Sequence, residues 1–161
     1  MRNFLIDINF MKIVVDTNIL MDAWSDDFSY ARKIVDAVIS GEIQAVASHK
    51  IWREYQLILD RLVNDQAHYA LANNFFGAVV MANVHRRVNV VKYDRDDNKF
   101  FACAEETGAE YIISNDTHLI EVGEHKGIRA MKSKDFWLEY EAGEKDEGAD
   151  WKNWMRGIMG K

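Results

Sequence analysis

The chain of 161 residues has no proline, a single cysteine, no long apolar run and no excess of positive charge. At ~5% usage about eight prolines would be present, and their absence carries no functional reading. One cysteine, Cys103, excludes an internal disulfide and makes a reducing cytoplasm the expected compartment. No apolar stretch approaches the ~18 residues of a membrane span, so no membrane association is expected. The opening MRNFLIDINF has an apolar part too short, and too interrupted by Asp7, for a signal peptide; Met11 is an alternative start. Twenty basic residues against 26 acidic ones leave a net charge of −6, which argues against a protein that coats nucleic acid through a broad basic surface. That balance does not exclude a nuclease, because a cluster of acidic metal ligands itself contributes several negative charges.

What is present is an ordinary globular composition, 48% hydrophobic and 29% charged, in a chain of one-domain length. β-Branched runs at 12–16, 43–48, 110–114 and 127–131 read as strands, and 87–93 as a strand or an extended approach to the acidic loop. Between them, apolar residues at helical spacing predict helices over about 27–40, 48–64, 66–83 and 97–107, with another starting near Ser133. Phe28, Ala31, Val35 and Val38 form the buried face of the first, and Gly41 and Gly108 stand as helix stops. Strands alternating with helices of this length imply βαβ units. The expected fold is therefore a three-layer α/β/α sandwich with a mostly parallel central sheet. Residues 1–140 form its domain, and 141–161 an acidic linker and a tail. In that tail Trp151, Trp154, Met155, Ile158 and Met159 make an amphipathic stripe, which packs on its own domain or serves a subunit or partner contact.

Carboxylates crowd against the most hydrophobic segments. Asp16 ends the first strand, and Asp116 stands beyond EYIIS; ligands of open parallel sheets bind at that carboxyl edge. Each alone reads equally well as a turn or cap residue. Asp97 heads the stripe Phe100, Phe101, Ala104 and Gly108, and Glu54 flanks the stripe of Ile51 and Ile58. Alone, Asp97 is a helix N-terminal acid and Glu54 a surface residue. Converging, the four would raise one another's pKa unless a cation neutralised them. Hard oxygen donors suit Mg²⁺ or Mn²⁺, which polarises a phosphoryl oxygen and yields hydroxide from bound water.

VVDTNIL, the Glu54–Tyr55 pair, DRDDNKFFACA and YIISNDTHLI, in that order over about 130 residues, resemble the PIN-domain family, and most closely its toxin components of toxin–antitoxin pairs. The resemblance implies a parallel α/β/α endoribonuclease with an acidic Mg²⁺ or Mn²⁺ site. It puts the family's four acids on Asp16, Glu54, Asp97 and Asp116. Asn18 and Ser114 fall on its supporting polar positions, and Asp94 or Asp96 could contribute through water. It further implies an RNA substrate and an antitoxin protein that occludes the cleft, and a homo-oligomer, as a dimer, is also expected.

Other readings fare worse. DRDDNKFFACAE nearly fits a calcium loop, with Asp94, Asp96, Asn98 and Glu105 in place, but Lys99 stands where glycine is required. An aspartyl-phosphate phosphatase would want Asp at position 18, where Asn18 stands. The five histidines and Cys103 show no zinc spacing, and Cys103 reads as packed. Basic residues Arg53, Arg86, Arg87, Lys92, Arg95 and Lys99 read as scattered; Arg95 and Lys99 flank the site, where they could steer an RNA backbone, though each alone reads as solvated surface. The alternative function is a non-catalytic PIN-like module that binds protein partners through its acidic face and tail.

Overall fold

Strand β1, Lys12–Val15, carries three consecutive side chains with no exposed surface, Ile13, Val14 and Val15. Successive side chains of a strand point to opposite faces, so both faces of the sheet are covered at its centre. The computed structural model describes residues 11–62 and 66–144; the opening decapeptide and the Trp-rich stripe at 151–159 lie outside them. After β1 come α1 (Thr17–Ser25), α2 (Tyr30–Ile39), β2 (Gln44–Ser48), α3 (His49–Leu62), α4 (Gln66–Ala78) and β3 (Val80–Ala82). A 3₁₀ turn at Arg95–Asp97 then leads into α5 (Asn98–Thr107), followed by β4 (Tyr111–Ile113), α6 (Thr117–Val122), β5 (Glu124–His125) and β6 (Ile128–Met131). A helix over 133–144, α7, closes the described chain and crosses the boundary expected at 140.

The six strands run in the order β3-β2-β1-β4-β6-β5, all pairs parallel except β5 with β6. This is the expected α/β/α sandwich with a mostly parallel sheet. Both edges are short strands, of three and two residues, which limits edge-to-edge pairing with other chains. In the β1–β4 ladder Val15 lies opposite Ile113, so the next residues, Asp16 and Ser114, emerge side by side at the carboxyl edge. The core fills in from α5, whose Phe100, Phe101, Cys103 and Ala104 are fully buried as their spacing predicts. Tyr55, on α3, is buried as well, and its hydroxyl donates to the Val15 carbonyl at the end of β1. Gly108 ends α5 with φ 74°, a left-handed conformation that glycine adopts without penalty.

Several elements depart from expectation. The helix placed at 27–40 is α2, which starts at Tyr30 because Ser29 caps it by accepting from the Arg32 N–H at 3.0 Å. Phe28 therefore lies outside the helix and is 91% exposed rather than in the core. A separate helix, α1, follows Asp16 directly and buries Ile19, Leu20, Ala23 and Trp24. The helix expected through 83 ends at Ala78, and Val80–Ala82 pairs with β2 instead. Most instructive is 87–93, where the first of the two forms expected, a strand, is absent. The N–H groups of Val90 and Val91 both donate to Asn98 Oδ1 at 2.7 Å, and Asn98 Nδ2 returns bonds to the carbonyls of Val91 and Arg95. One buried side chain satisfies the backbone that a neighbouring strand would otherwise have satisfied.

Replacing Asn98 by alanine strands those buried donors, so Asn98→Ala should lower unfolding free energy by about 2–4 kcal/mol. In hydrogen exchange, the Val90 and Val91 amides should lose protection first. Unchanged denaturant midpoint and unchanged exchange at both amides would contradict the clamp.

Candidate functional site

Asp16 caps the entry to α1 by position, yet its side chain makes no capping bond. Its Oδ2 instead accepts from the Ser114 hydroxyl at 2.6 Å, across 98 residues of sequence. Ser114 Oγ in turn accepts from the Asp116 N–H at 3.0 Å, so one hydroxyl ties together the ends of β1 and β4. Asp116 itself caps α6, its Oδ1 accepting from the His118 N–H at 2.9 Å. Asp16 is only 7% exposed. Burial holds its carboxyl above the ordinary carboxylate range, and Glu54 adds to the shift, while the Ser114 bond opposes it.

Asp97 sits at the junction of the 3₁₀ turn and α5, where a capping bond would be the ordinary role for an aspartate. It makes none. Its Oδ2 is buried without a hydrogen-bond partner, an arrangement that is costly for a carboxylate. Its pKa is pushed up to about 7, first by burial and then by the charges of Asp94, Asp16 and Asp116, with Lys99 acting in the opposite sense. Carboxylates from a loop and two strand ends thus act on Asp97 together. The fourth acid, Glu54 of α3, joins them through its effect on Asp16.

The positive charge among the acids is a lysine. Lys99 was expected to be solvated, but its side chain is 8% exposed and its Nζ pairs with Glu54 and, at 2.5 Å, with Asp96. Burial alone would lower its pKa; hydrogen bonds and charges from the two carboxylates outweigh that, and the net shift is upward. Asp96 is therefore engaged with Lys99, whereas Asp94 caps the 3₁₀ turn by accepting from the Asp96 N–H at 3.1 Å. The remaining basic residues are not scattered either. Arg53, Arg86, Arg87, Arg95 and Lys99 line one groove; Lys92 does not.

Asn18 accepts from the Asn115 N–H, at a long 3.4 Å. The larger organiser is Asn115 itself, which sequence reasoning passed over. Its Nδ2 donates to Asp22 Oδ2 at 2.8 Å, and its Oδ1 accepts from both the N–H and the hydroxyl of Ser133 at 3.2 Å. It joins α1, the turn after β4 and the start of α7; its place between Ser114 and Asp116 was the available signal. Cys103 is buried, and burial pushes its thiol up to about 12, so it supplies no thiolate near neutral pH.

The donor chemistry fits a hard divalent cation, since every candidate ligand is a carboxylate and Asp97 presents a buried oxygen without a partner. As the side chains stand, no three of the His, Cys, Asp or Glu groups among the described residues are close enough to hold an ion. Glu54 faces Lys99, and bringing it into a ligand set means releasing it from that pair.

A PIN-domain family model matches residues 12–118, a span that contains all four acids. The chain belongs to the PIN-domain family. Protein MJ1680 of Methanocaldococcus jannaschii is 29% identical to it over 118 residues, covering 70% of this chain and 75% of that one. Among solved structures, PAE2754 from Pyrobaculum aerophilum superposes with a TM-score of 0.55 at 16% identity, over 82% of this PIN-domain chain and 90% of the other. VapBC2 from Rickettsia felis, solved bound to a DNA fragment from its promoter, superposes at 0.53 with 9% identity, over 76% and 98%. At such identities the two structures speak for the fold.

A carboxyl whose pKa is raised in the folded state binds its proton more tightly there than in the unfolded chain. The contribution of Asp97 to stability is therefore most favourable below about pH 4 and declines as pH rises towards about 7. In metal-free buffer, Asp97→Asn should melt about 2–4 °C above the parent protein at pH 7.5. The difference should vanish at pH 4. A gap that does not change with pH in thermal melts would contradict the assignment of the raised pKa to Asp97.

Proposed function

We propose that this PIN domain is a metal-dependent endoribonuclease that hydrolyses RNA phosphodiester bonds, with Asp16, Glu54, Asp97 and Asp116 as the residues that hold Mg²⁺ or Mn²⁺. The observation that carries the reading is Asp97: a buried carboxylate oxygen without a partner, crowded by Asp94, Asp16 and Asp116. Structural carboxylates are normally hydrogen-bonded, capped or ion-paired, and Asp97 is none of these. When bound, a divalent ion supplies polarisation of a phosphoryl oxygen and a water nucleophile at neutral pH. Ser114 then holds Asp16 in one orientation and keeps the Asp116 backbone beside it, while Asn18 and Asn115 fix the turn between β4 and α6. Asp94 acts on the same centre through its charge. The single thiol is buried and held protonated, so it offers no covalent nucleophile.

In this reading the protein is the toxin of a toxin–antitoxin pair, with RNA as substrate and an antitoxin protein as partner. Support comes from the motif resemblance and from the fold shared with VapBC2. A homodimer is the simplest assembly for it. The Lys99–Glu54 pair favours a second reading, since it already neutralises one of the four acids. Under that reading the domain binds a protein partner without catalysing a reaction.

The readings separate in one assay. With Mn²⁺ and single-stranded RNA, hydrolysis should be abolished by chelation and should fall by more than about 100-fold in Asp16→Asn and Asp116→Asn, both still folded. Ser114→Ala, which frees the Asp16 carboxylate and leaves the Asp116 N–H without its acceptor, should cost about 10–100-fold. Full activity of Asp16→Asn would contradict the proposal. Absence of hydrolysis in the parent protein under all metal conditions would favour the binding module.

A further inference from the structure

Between the start of α3, the segment at 83–89 and the start of α5 lies a groove of about 770 Å³. Six of its lining side chains are cationic: Lys50, Arg53, Arg86, Arg87, Arg95 and Lys99. Asp96 is the one carboxylate among the lining residues. In a chain with a net charge of −6, such a concentration is not the average surface. Elsewhere some arginines and lysines sit against acids, as Arg32 does with Asp27 at 2.9 Å, Lys126 with Glu105 at 2.9 Å and Arg129 with Glu139 at 3.0 Å. In the groove Arg86 is tied to Glu106 and Lys99 to Glu54 and Asp96. Lys50, Arg53, Arg87 and Arg95 have no carboxylate partner among the described residues.

Unneutralised like charges repel one another, and a concave surface focuses their field on whatever enters it. The floor adds apolar contact from Val84, Val88 and Ala102. At one end the groove includes Ser48, the last residue of β2, on the same sheet edge that carries Asp16 and Ser114. Lys99 belongs to both groove and acidic site, since it pairs with Glu54. A long anionic chain lying in the groove would thus reach the carboxylates.

We propose that this groove is the track for the phosphate backbone of single-stranded RNA, leading the chain into the acidic site. The proposal rests on the nuclease reading and adds the surface that selects the substrate. Arg and Lys side chains neutralise successive phosphates, and the apolar floor suits unpaired bases, whose faces need cover. The overall negative charge then excludes nucleic acid from the rest of the surface, so that binding is confined to one path.

The test is fluorescence anisotropy with a labelled single-stranded RNA of about ten nucleotides, in EDTA so that no hydrolysis intervenes. Arg53→Gln/Arg87→Gln should weaken binding at least about 10-fold. It should also flatten the dependence of log K on log salt by about 1.4, or about 0.7 for each lost phosphate contact. Lys33→Gln, on α2 and outside the groove, should change affinity less than about twofold. Unchanged affinity in the double variant, equal affinity for duplex RNA, or displacement of RNA by poly-glutamate at lower concentration than by unlabelled RNA would overturn the proposal, the last pointing to an acidic peptide as the occupant. Hydrolysis in Mn²⁺ is read separately. Cleavage by the parent protein together with unchanged binding by the groove variant would overturn the track and leave the nuclease, whereas groove-dependent binding without cleavage would do the reverse.

Discussion

The bond from the Ser114 hydroxyl to Asp16 Oδ2 joins positions 98 residues apart, and most of the site depends on it. It is possible only because β1 and β4 are adjacent and parallel, with Val15 and Ile113 in register. Parallel strands require crossovers, and the crossovers here supply the other acids: Glu54 on α3 after β2, and Asp97 at the start of α5 before β4. The topology thus delivers carboxylates to one edge without any of them being adjacent in sequence. Ser114 also receives the Asp116 N–H, so a change that displaced its hydroxyl would loosen both strand ends together.

Gathering acids at a water-poor edge costs electrostatic free energy, and the molecule offsets it in three different ways. Asp16 is hydrogen-bonded, Glu54 is ion-paired, and Asp97 is pushed towards protonation. These are the three responses open to a crowded carboxylate: a donor, a counter-charge, or the neutral form. Lys99 supplies the counter-charge, its ammonium pairing with both Glu54 and Asp96. The basic groove that meets the site at the same lysine makes a related point. Four cations without a carboxylate partner among the described residues lie in that groove, beside the acids of the sheet edge, although ion pairs are interspersed over other parts of the surface.

Much of this was legible in the sequence, and the limits are physical. The alternation of β-branched runs with helical stripes gave the parallel sheet, because both periodicities come from local geometry. Asp16 and Asp116 were placed correctly at strand ends for the same reason. The segment 87–93 has strand composition but no strand, since Asn98 bonds its backbone from a distance that no local pattern reveals. Helix α1 was missed because its two turns follow Asp16 immediately, with no loop to announce a new element. The burial of Lys99 and the grouping of the arginines are the least legible features. Charged side chains carry no periodic signal of burial or convergence, so their pairing and grouping became visible only with the fold.

The central claim is that Asp16, Glu54, Asp97 and Asp116 form one cation site. A calorimetric titration of Mn²⁺ into the protein, beside a folded Asp97→Asn variant, tests it most directly. Saturable binding at neutral pH, accompanied by proton release and weakened in the variant, is the predicted result, because occupation must displace the proton that Asp97 retains near neutrality. Absence of binding in the parent protein, or binding that the variant leaves untouched, would contradict the account.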